Sequence, residues 1–515
     1  MKQTAAFRPR WPLVLILLLA GAHLLFASWN ILYSGQNYDE GFYAVAARSV
    51  WQGDLPYRDF GYTQMPLLPY INGLMMHLTG FGLLEQRAVN GLWGALTLVL
   101  AVRWLARRTS PAWALGCGAL LSLSAPWMSF VHLGKTYAMV GLIIMAALWV
   151  YTEWAPGPRK VCLLAWLATL GIGCRLTAAP FFAVLWLAAA LELPLRPARP
   201  WVLSAAGSLL APVLLLLPFY LAAPEAAYFW TLGFHRLSVP QKHWHITWPM
   251  IAALAPALWL GLVFNAGHAA VQRKLPERRE LVVLFATLLA LAANLLPSGV
   301  FEEYGVPFLP PLLLVVAAGL WRAGASLPWL RSAAVPLGLL LLNLSVAVTL
   351  LWPSMPPDRR GTLSVFLPLN ASAYDPSLPA RIARQTQVVR QYLPPGRPFI
   401  GPQIILAVEA DRPVPRALRM GPFTATFDYP APQAARLNLV TFAELEAIFQ
   451  DPAVPFLAFY KNGNLNYAWS MPTFRNPPPA DRQRWQAIFQ RDFLVAYEDA
   501  DALLLVRKSA LPARP

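Results

Sequence analysis

The chain has 515 residues, of which 57% are hydrophobic and only 13% are charged, and its formal net charge is +16. About a quarter of the residues in a soluble protein are charged, so this composition excludes an ordinary soluble globular protein and indicates a membrane protein. The positive charge collects between apolar segments, which explains it without a nucleic-acid partner.

Apolar runs recur through roughly the first 350 positions, and a helix needs about 20 apolar residues to cross a bilayer. The first run follows three basic residues and could pass for a signal peptide, but the many runs behind it favour an uncleaved anchor. We predict about eleven spans, at residues 11–33, 88–106, 111–131, 136–153, 161–173, 175–193, 202–222, 249–269, 281–297, 306–321 and 332–352.

Basic residues orient these spans, because they are enriched on the cytoplasmic side. The basic residues that fall on one side are Lys2, Arg8, Arg10, Arg107, Arg108, Arg159, Lys160, Arg196, Arg199, Arg322, Arg331 and the cluster 273–279. The N-terminus is therefore predicted to be cytoplasmic and the C-terminus extracytoplasmic. The outer loops are then residues 34–87, a turn near Lys135, a turn near Arg175, 223–248 and 298–305.

The first outer loop opens on two adjacent acids in NYDEGFYAVAARSVWQGDLPYRDFGYTQMPLLPY, which begins at Asn37. Asn37 or Asp39 can cap a helix that Gly53 ends. A helix lying on the membrane surface is predicted from its apolar positions, Phe42, Val45, Ala46 and Val50.

The two acids, Asp39 and Glu40, are successive helical residues and therefore point about 100° apart. They cannot flank one bond as a glycosidase pair does, but one can face a reaction centre while the other braces it. The positive end of the helix dipole favours an ionised Asp39. The plainer alternative is that both acids are ordinary helix-capping residues.

Residues 161–193 are the least regular part of the membrane region. We divide them at Gly173 and Arg175 into two short spans, because one long span would move the later basic clusters to the outer side. Buried thiols, rather than disulfides or metal ligands, are predicted for the cysteines in apolar runs, Cys117, Cys162 and Cys174.

The composition changes after Trp352, where prolines and charges become frequent and no run long enough to cross a membrane remains. Residues 1–352 are predicted to form the transmembrane domain, and residues 353–515 a soluble extracytoplasmic α/β domain. The runs FIGPQIILAV, PFLAFY and FLVAYEDADALLLVRK predict strands, the last of them a hairpin around EDAD. FAELEAIFQ is predicted to be a helix between strands.

The segment YDEGFYAVAARSVWQGDLPYRDFGYTQMPLLPYINGLMMHLTG resembles the first outer loop of the GT-C glycosyltransferases. Within this superfamily the chain is similar to bacterial enzymes of the protein O-mannosyltransferase, lipid A aminoarabinose transferase and rhizobial galacturonosyl transferase type. The segments GKTYAMVGLIIMAALWVY, LGIGCRLTAAPFF and EEYGVPFLPPLLLVVAAG also resemble the family. The similarity covers about residues 10–350 and implies a polytopic α-helical membrane protein with the GT-C fold.

This resemblance implies an inverting transferase of the cytoplasmic membrane that moves one hexose or pentose from a polyprenyl-monophosphate donor. The acceptor is an envelope lipid, glycan or protein on the outer face. Because the phosphate leaves readily, a general acid is dispensable, whereas a carboxylate that orients the acceptor hydroxyl and takes its proton is useful. The catalytic acid of the family corresponds to Asp39, with Glu40 in a supporting position.

Negative charge builds on the departing phosphate and calls for fixed cations. The basic residues of the family correspond to Lys135 and Arg175, and Arg236 is a third candidate for the donor phosphate. Anchoring at the membrane interface by a long basic side chain is the alternative for each. Further substrate-binding candidates are Tyr38, Arg58, Asp59, Tyr62, His235, Glu302, Glu303 and Tyr304.

The stretch HRLSVPQKHWH at 235–245 could bind sugar or phosphate, or could be an ordinary solvated loop. Its His243 and His245 have the spacing of metal ligands on a strand, but no further partners are evident. Trp127 and His132 are predicted to be packing groups.

Metal-dependent relatives carry an Asp-x-Asp motif after the third span, where this chain reads FVHLGKTY. We therefore predict transfer without a metal ion or another cofactor. The alternatives to this function are a transporter or flippase for polyprenyl-linked glycans, a ligase or polymerase that uses a pyrophosphate carrier, and a non-catalytic scaffold of the same fold. Transporters tend to carry ionisable residues at mid-membrane, whereas the charges here lie at the ends of spans.

Overall fold

The structure is a computed structural model of the chain. It describes residues 11–194, 198–237, 256–273, 276–294, 302–346, 377–425, 429–460, 478–499 and 501–511. Within these ranges the chain is largely helical.

Helices fill the region that the sequence assigns to the membrane and its outer loops. They are α1 (Trp11–Tyr33), α2 (Tyr38–Trp51), α3 (Leu67–Thr79), α4 (Leu83–Ala106), α5 (Pro111–Ser122), α6 (Ala125–Phe130), α7 (Tyr137–Glu153), α8 (Pro158–Cys174), α9 (Ala179–Ala190), α10 (Arg199–Leu215), α11 (Leu217–Ala222), α12 (Pro224–Tyr228), α13 (Phe234–Leu237), α14 (Pro256–Gln272), α15 (Arg278–Ala293), α16 (Leu309–Ala323) and α17 (Ala334–Val346). Short 3-10 or π segments are Leu176–Ala178, Phe229–Gly233, Glu302–Phe308 and Pro328–Arg331.

The described part of each predicted span contains a helix, and residues 249–255, 295–297 and 347–352 of these spans fall outside the described ranges. The predicted span 111–131 is divided into α5 and α6, because a proline in the first turn of α6 cannot donate a helical hydrogen bond. Among the described residues, the helical segments that are long and apolar enough to cross a membrane are Leu13–Tyr33, Leu83–Ala106 and Glu303–Ala323. Shorter apolar helices are Pro111–Ser122, Tyr137–Glu153, Leu176–Ala190, Arg199–Leu215 and Ala334–Asn343. The number of spans stays a prediction.

Helices α8 and α9 form an antiparallel pair that turns at Arg175, as the sequence predicted. The Nζ of Lys160, near the start of α8, lies 2.6 Å from Glu192 Oε2, just beyond the end of α9. The Nε of Arg279 reaches the same carboxylate at 3.6 Å. Basic residues that the sequence assigns to one side therefore meet at one end of the bundle, and Arg175 lies at the other end.

The C-terminal unit, defined as the described part of residues 377–511, packs a small sheet among helices. Its helices are α18 (Leu378–Tyr392), α19 (Ile405–Glu409), α20 (Ala431–Arg436), α21 (Phe442–Gln450) and α22 (Pro479–Asp492). Its antiparallel sheet has the order β1-β3-β2 and consists of β1 (Phe456–Tyr460), β2 (Phe493–Glu498) and β3 (Ala502–Arg507). The helix FAELEAIFQ, the strand PFLAFY and the hairpin around EDAD lie where the sequence predicted them.

The predicted strand FIGPQIILAV is wrong, because residues 399–404 form no strand and Ile405–Glu409 forms α19. Gly401 has a φ of +149°, and a Cβ added there would lie 2.0 Å from the carbonyl oxygen of Ala458 in β1. The backbone therefore passes too close to β1 for a side chain, and the next residue, Pro402, cannot donate to a sheet. The error arises because a short buried helix and a buried strand present the same apolar run.

Helix α2 is fixed by a capping box. The Asp39 N–H donates to Asn37 Oδ1 at 3.1 Å, and the Asn37 N–H donates to Glu40 Oε2 at 3.0 Å. Residues 40–50 are buried, because α3 and the C-terminal unit pack against this helix. The helix lies where the sequence predicted it, but the prediction that it rests on the membrane surface is wrong, since protein covers it.

The C-terminal unit contacts α2 directly. Arg48 of α2 donates to the carbonyl oxygens of Ala407 at 3.1 Å and of Arg412 at 2.8 Å. A Cβ added at Gly41 would lie 3.0 Å from the backbone nitrogen of Ile405, so the absence of a side chain permits this approach. The C-terminal unit therefore packs directly against α2, the helix that carries Asp39 and Glu40. The predicted division into two domains stays a prediction.

Candidate active site

Asp39 lies in the first turn of α2, where the capping box fixes its backbone. Its side chain is 29% exposed, and its Oδ2 lies 2.8 Å from Lys135 Nζ. The carboxylate is therefore fixed by a cation on one side and accessible on another. This is the geometry that a carboxylate needs in order to meet a hydroxyl group of a substrate.

Lys135 lies in the turn before α7 and contacts two carboxylates. Its Nζ is 2.8 Å from Asp39 Oδ2 and 3.0 Å from Glu303 Oε1, and its side chain is only 4% exposed. Burial by itself lowers the pKa of Lys135, but the charges of Asp39 and Glu303 outweigh burial and raise the pKa well above its ordinary value. The ammonium group therefore stays charged.

Arg175 ends α8 and points into the same cluster. Its guanidinium lies 4.9 Å from the centre of the Tyr137 ring and 4.5 Å from that of Tyr304. Its Nη1 donates to Thr136 Oγ1 at 3.2 Å, while its buried Nε has no hydrogen-bond partner in the part of the chain that the structure describes. A buried guanidinium donor without a partner is costly unless a ligand accepts from it.

Glu303 and Tyr304 enter the site on the 3-10 segment Glu302–Phe308, which leads into α16. Four elements far apart in the chain thus bring together residues that the sequence singled out, namely Asp39, Lys135, Arg175, Glu303 and Tyr304. The side chain of Glu302 lies outside the described part of the structure, as do Lys242, His243 and His245.

Glu40 and Arg87 form a buried ion pair beside Asp39. Arg87 donates from Nε to Glu40 Oε1 at 2.8 Å and from Nη2 to Oε2 at 2.6 Å, and both side chains are 0% exposed. Burial by itself raises the pKa of Glu40, but the guanidinium and the hydrogen bonds from Gly134 and Asn37 hold it below its ordinary value of 4.5. Glu40 is therefore held in a buried ion pair beside Asp39, and the supporting position predicted for it stays a prediction.

Tyr62 lies beside Tyr43 of α2, and His235 lies near Arg175. The Tyr62 hydroxyl is buried without a hydrogen-bond partner among the described residues, and its ring contacts Tyr43 edge to face, with 6.1 Å between centroids. The Nε2 of His235 lies 2.8 Å from the carbonyl oxygen of Thr63. Burial lowers the pKa of His235, as does the nearby Arg175 charge, so its neutral ring donates this bond.

The structure does not join three other candidates to this cluster. Arg58 pairs with Asp59 at 2.7 Å, and Asp59 lies 3.6 Å from Arg416 of the C-terminal unit. Arg236 is exposed and donates to the hydroxyl of Tyr228 at 3.2 Å. These side chains therefore pair with residues of the outer loops and of the C-terminal unit, away from Asp39.

The remaining candidates contact neighbouring protein groups. Tyr38 meets the ring of Tyr460 at 4.5 Å, beside Asp39. His132 is fully buried, with Nδ1 3.0 Å from the Met128 carbonyl oxygen, as expected of a packing group. The three predicted thiols are free, two of them buried and Cys162 partly buried.

Sequence reasoning missed Tyr43, Thr136 and Tyr137. Tyr43 is buried, and its pKa is raised by burial and by the charge of Asp39. It follows Asp39 by four residues on α2, and this spacing places two side chains on one face of a helix. That spacing is the signal that could have revealed it. Within the described ranges no three His, Cys, Asp or Glu side chains are grouped as metal ligands.

Two solved structures resemble the chain over nearly its whole length. ArnT from Cupriavidus metallidurans bound to undecaprenyl phosphate has a TM-score of 0.63 and 15% sequence identity, and covers 98% of this chain and 100% of its own. The apo state of the same protein has a TM-score of 0.61 and 15% identity, and the match covers 98% of this chain and 99% of the ArnT chain. No protein-family model matches the chain, and no curated protein matches it. At this identity the likeness shows the fold alone, and this fold is the one that the sequence resemblance predicted.

Proposed function

We propose that the chain is an inverting glycosyltransferase that moves one sugar from a polyprenyl-monophosphate donor to an acceptor hydroxyl on the outer face of the cytoplasmic membrane. The observation that carries this proposal is a partly exposed carboxylate, Asp39, beside two buried cations, Lys135 and Arg175, in a GT-C fold. The solved structure of ArnT contains undecaprenyl phosphate, which supports a polyprenyl phosphate carrier here.

The transfer needs one bond to form and one to break. The acceptor oxygen attacks the anomeric carbon opposite the phosphate, while the bond from that carbon to the phosphate oxygen breaks and leaves its electron pair on the phosphate. Asp39 orients the acceptor hydroxyl and takes its proton late in the step. The carrier departs as polyprenyl monophosphate, and the sugar inverts at its anomeric carbon.

Arg175 is the cation best placed to receive the phosphate. Its Nε is buried and unpartnered among the described residues, so a phosphate oxygen would satisfy it. A guanidinium binds phosphate through two parallel hydrogen bonds, and in a water-poor site these are strong.

Replacing Arg175 with Leu is expected to lower the rate of transfer by about 100-fold, because the charge on the departing phosphate loses its stabilising cation. Initial rates in membranes, normalised to the amount of protein, would measure this. Arg58→Leu is the matched control, since that guanidinium is half exposed and pairs with Asp59, and it should retain transfer. Equal rates for the wild type and Arg175→Leu would remove Arg175 from phosphate binding.

The function itself is tested by mass spectrometry of envelope glycolipids and glycoproteins from cells with and without the protein. We expect a sugar-sized mass to be lost from one acceptor class. Polyprenyl monophosphate should accumulate with turnover in a purified assay, whereas a ligase or polymerase would release the pyrophosphate. An unchanged envelope, together with no release of the monophosphate, would reject the proposal.

A further inference from the structure

We propose that the Lys135 ammonium is a built-in cation, which fills the space between the Asp39 and Glu303 carboxylates that a divalent metal ion would need. This inference rests on the proposed function, because it assigns Lys135 to the support of Asp39. Lys135 is then a positioning residue, and the donor phosphate belongs to Arg175.

The two carboxylates belong to separate elements, and the ammonium group joins them. Asp39 lies in the first turn of α2, whereas Glu303 lies on the 3-10 segment before α16. Lys135 Nζ is 2.8 Å from Asp39 Oδ2 and 3.0 Å from Glu303 Oε1. These are the lengths of charge-assisted hydrogen bonds, which are about twice as strong as neutral ones.

The backbone that carries Lys135 is held on both sides. The Gly134 N–H donates to Glu40 Oε1 at 3.0 Å, and the Gly134 carbonyl oxygen accepts from Gln86 Nε2 at 2.8 Å. A Cβ added at Gly134 would lie 2.3 Å from the Gln86 side chain, so the turn approaches α4 closely. The ammonium group is thus placed by a rigid turn, as a bound ion is placed by its ligands.

A divalent ion does not fit this site. Oxygen ligands lie about 2.0–2.6 Å from Mg²⁺ or Ca²⁺, and an ion within that distance of Asp39 and Glu303 would collide with the ammonium group between them. The charge of Lys135 would also repel the ion. A metal would therefore have to displace the lysine, whose charged form both carboxylates favour.

The built-in cation fixes which oxygen of Asp39 reacts. Its Oδ2 is engaged by Lys135, which leaves Oδ1 as the oxygen that can meet the acceptor hydroxyl. The positive charge of the ammonium also offsets the repulsion between the two nearby carboxylates. Lys135 thereby prepares Asp39 without contacting the sugar.

The first test measures the binding of Mn²⁺ alone to the purified full chain by calorimetry and electron paramagnetic resonance. The variant K135D replaces the ammonium with a third carboxylate and should bind Mn²⁺ at least about 10-fold more tightly than the wild type. Adding Glu303→Gln to K135D should weaken Mn²⁺ binding again, by about 10-fold relative to K135D alone. Binding of Mn²⁺ by the wild type as tight as by K135D would overturn the inference, as would a folded K135D that gains no affinity.

The second test uses Lys135→Ala, which leaves both carboxylates and empties the space between them. Its transfer rate should fall by about 100-fold and recover in part with methylammonium, whereas EDTA should leave the wild-type rate unchanged. If K135D does not fold, this variant decides alone. Wild-type turnover by Lys135→Ala, or a wild-type rate that EDTA removes and Mn²⁺ restores, would overturn the inference. The Mn²⁺-binding measurements do not depend on sugar transfer. A failure of the proposed function can therefore be distinguished from a failure of this inference.

Discussion

Replacing Asp39 with Asn is expected to abolish sugar transfer while the protein still folds and inserts. The amide has the shape of the carboxylate but cannot take a proton from the acceptor hydroxyl, and the loss of a general base costs about 100- to 10,000-fold in rate. Lys135 keeps Glu303 as a partner in this variant, at 3.0 Å, so its ammonium is not left alone. The Asn37 cap, which fixes the first turn of α2, is also retained.

The measurement is the rate of polyprenyl monophosphate release, with the size-exclusion profile of the purified variant as the check on folding. Asp59→Asn is the matched control, because Asp59 lies in the same outer loop but pairs with Arg58 away from the cluster. It should turn over like the wild type. Normal turnover by Asp39→Asn would show that Asp39 is not the base.

The positions of the helices in the first 350 residues could be predicted because each apolar run is a local property of the chain. The helix cap at Asn37 was equally local, since it needs only the Asn and the Glu three residues later. The burial of α2 could not be predicted in this way, because the residues that cover it lie far away in the sequence. Arg48 contacts the carbonyl oxygen of Ala407, which lies 359 positions further along the chain. No sequence pattern within the first loop predicts this contact.

The candidate site was predictable as a set of residue types and loop positions, but not as a set of contacts. Asp39, Lys135 and Arg175 each lie at a predicted outer turn, which made them candidates. That Lys135 bridges Asp39 and Glu303 depends on how three segments pack, which a single sequence does not specify. Tyr137 was missed because aromatic residues at the ends of spans are common as interface anchors.

The ion pair between Glu40 and Arg87 gives the largest expected effect on stability. Replacing Arg87 with Leu would leave the Glu40 carboxylate without its cation in a site where both side chains are 0% exposed. Removing one partner of a buried pair costs about 3–5 kcal/mol, because the remaining charge is buried uncompensated. The loss would be measured as a lower midpoint of thermal or denaturant unfolding in detergent. Arg58→Leu is the control, and its loss should be much smaller because the Arg58 side chain is half exposed.

The pH dependence of this loss separates a charge effect from a packing effect. In the wild type the pKa of Glu40 is held below 4.5, so the pair stabilises the fold above that pH and this contribution is lost as the pH falls through the lowered pKa. Without Arg87, burial raises the pKa of Glu40, and the variant instead loses stability as the pH rises through that raised value. The gap between the two proteins should therefore be widest near neutral pH and should narrow towards pH 4. A gap that is constant with pH would mean that the Arg87 side chain acts through its volume and not its charge. The double replacement Glu40→Met with Arg87→Leu should cost less than the sum of the single ones, because no charge is then left buried alone.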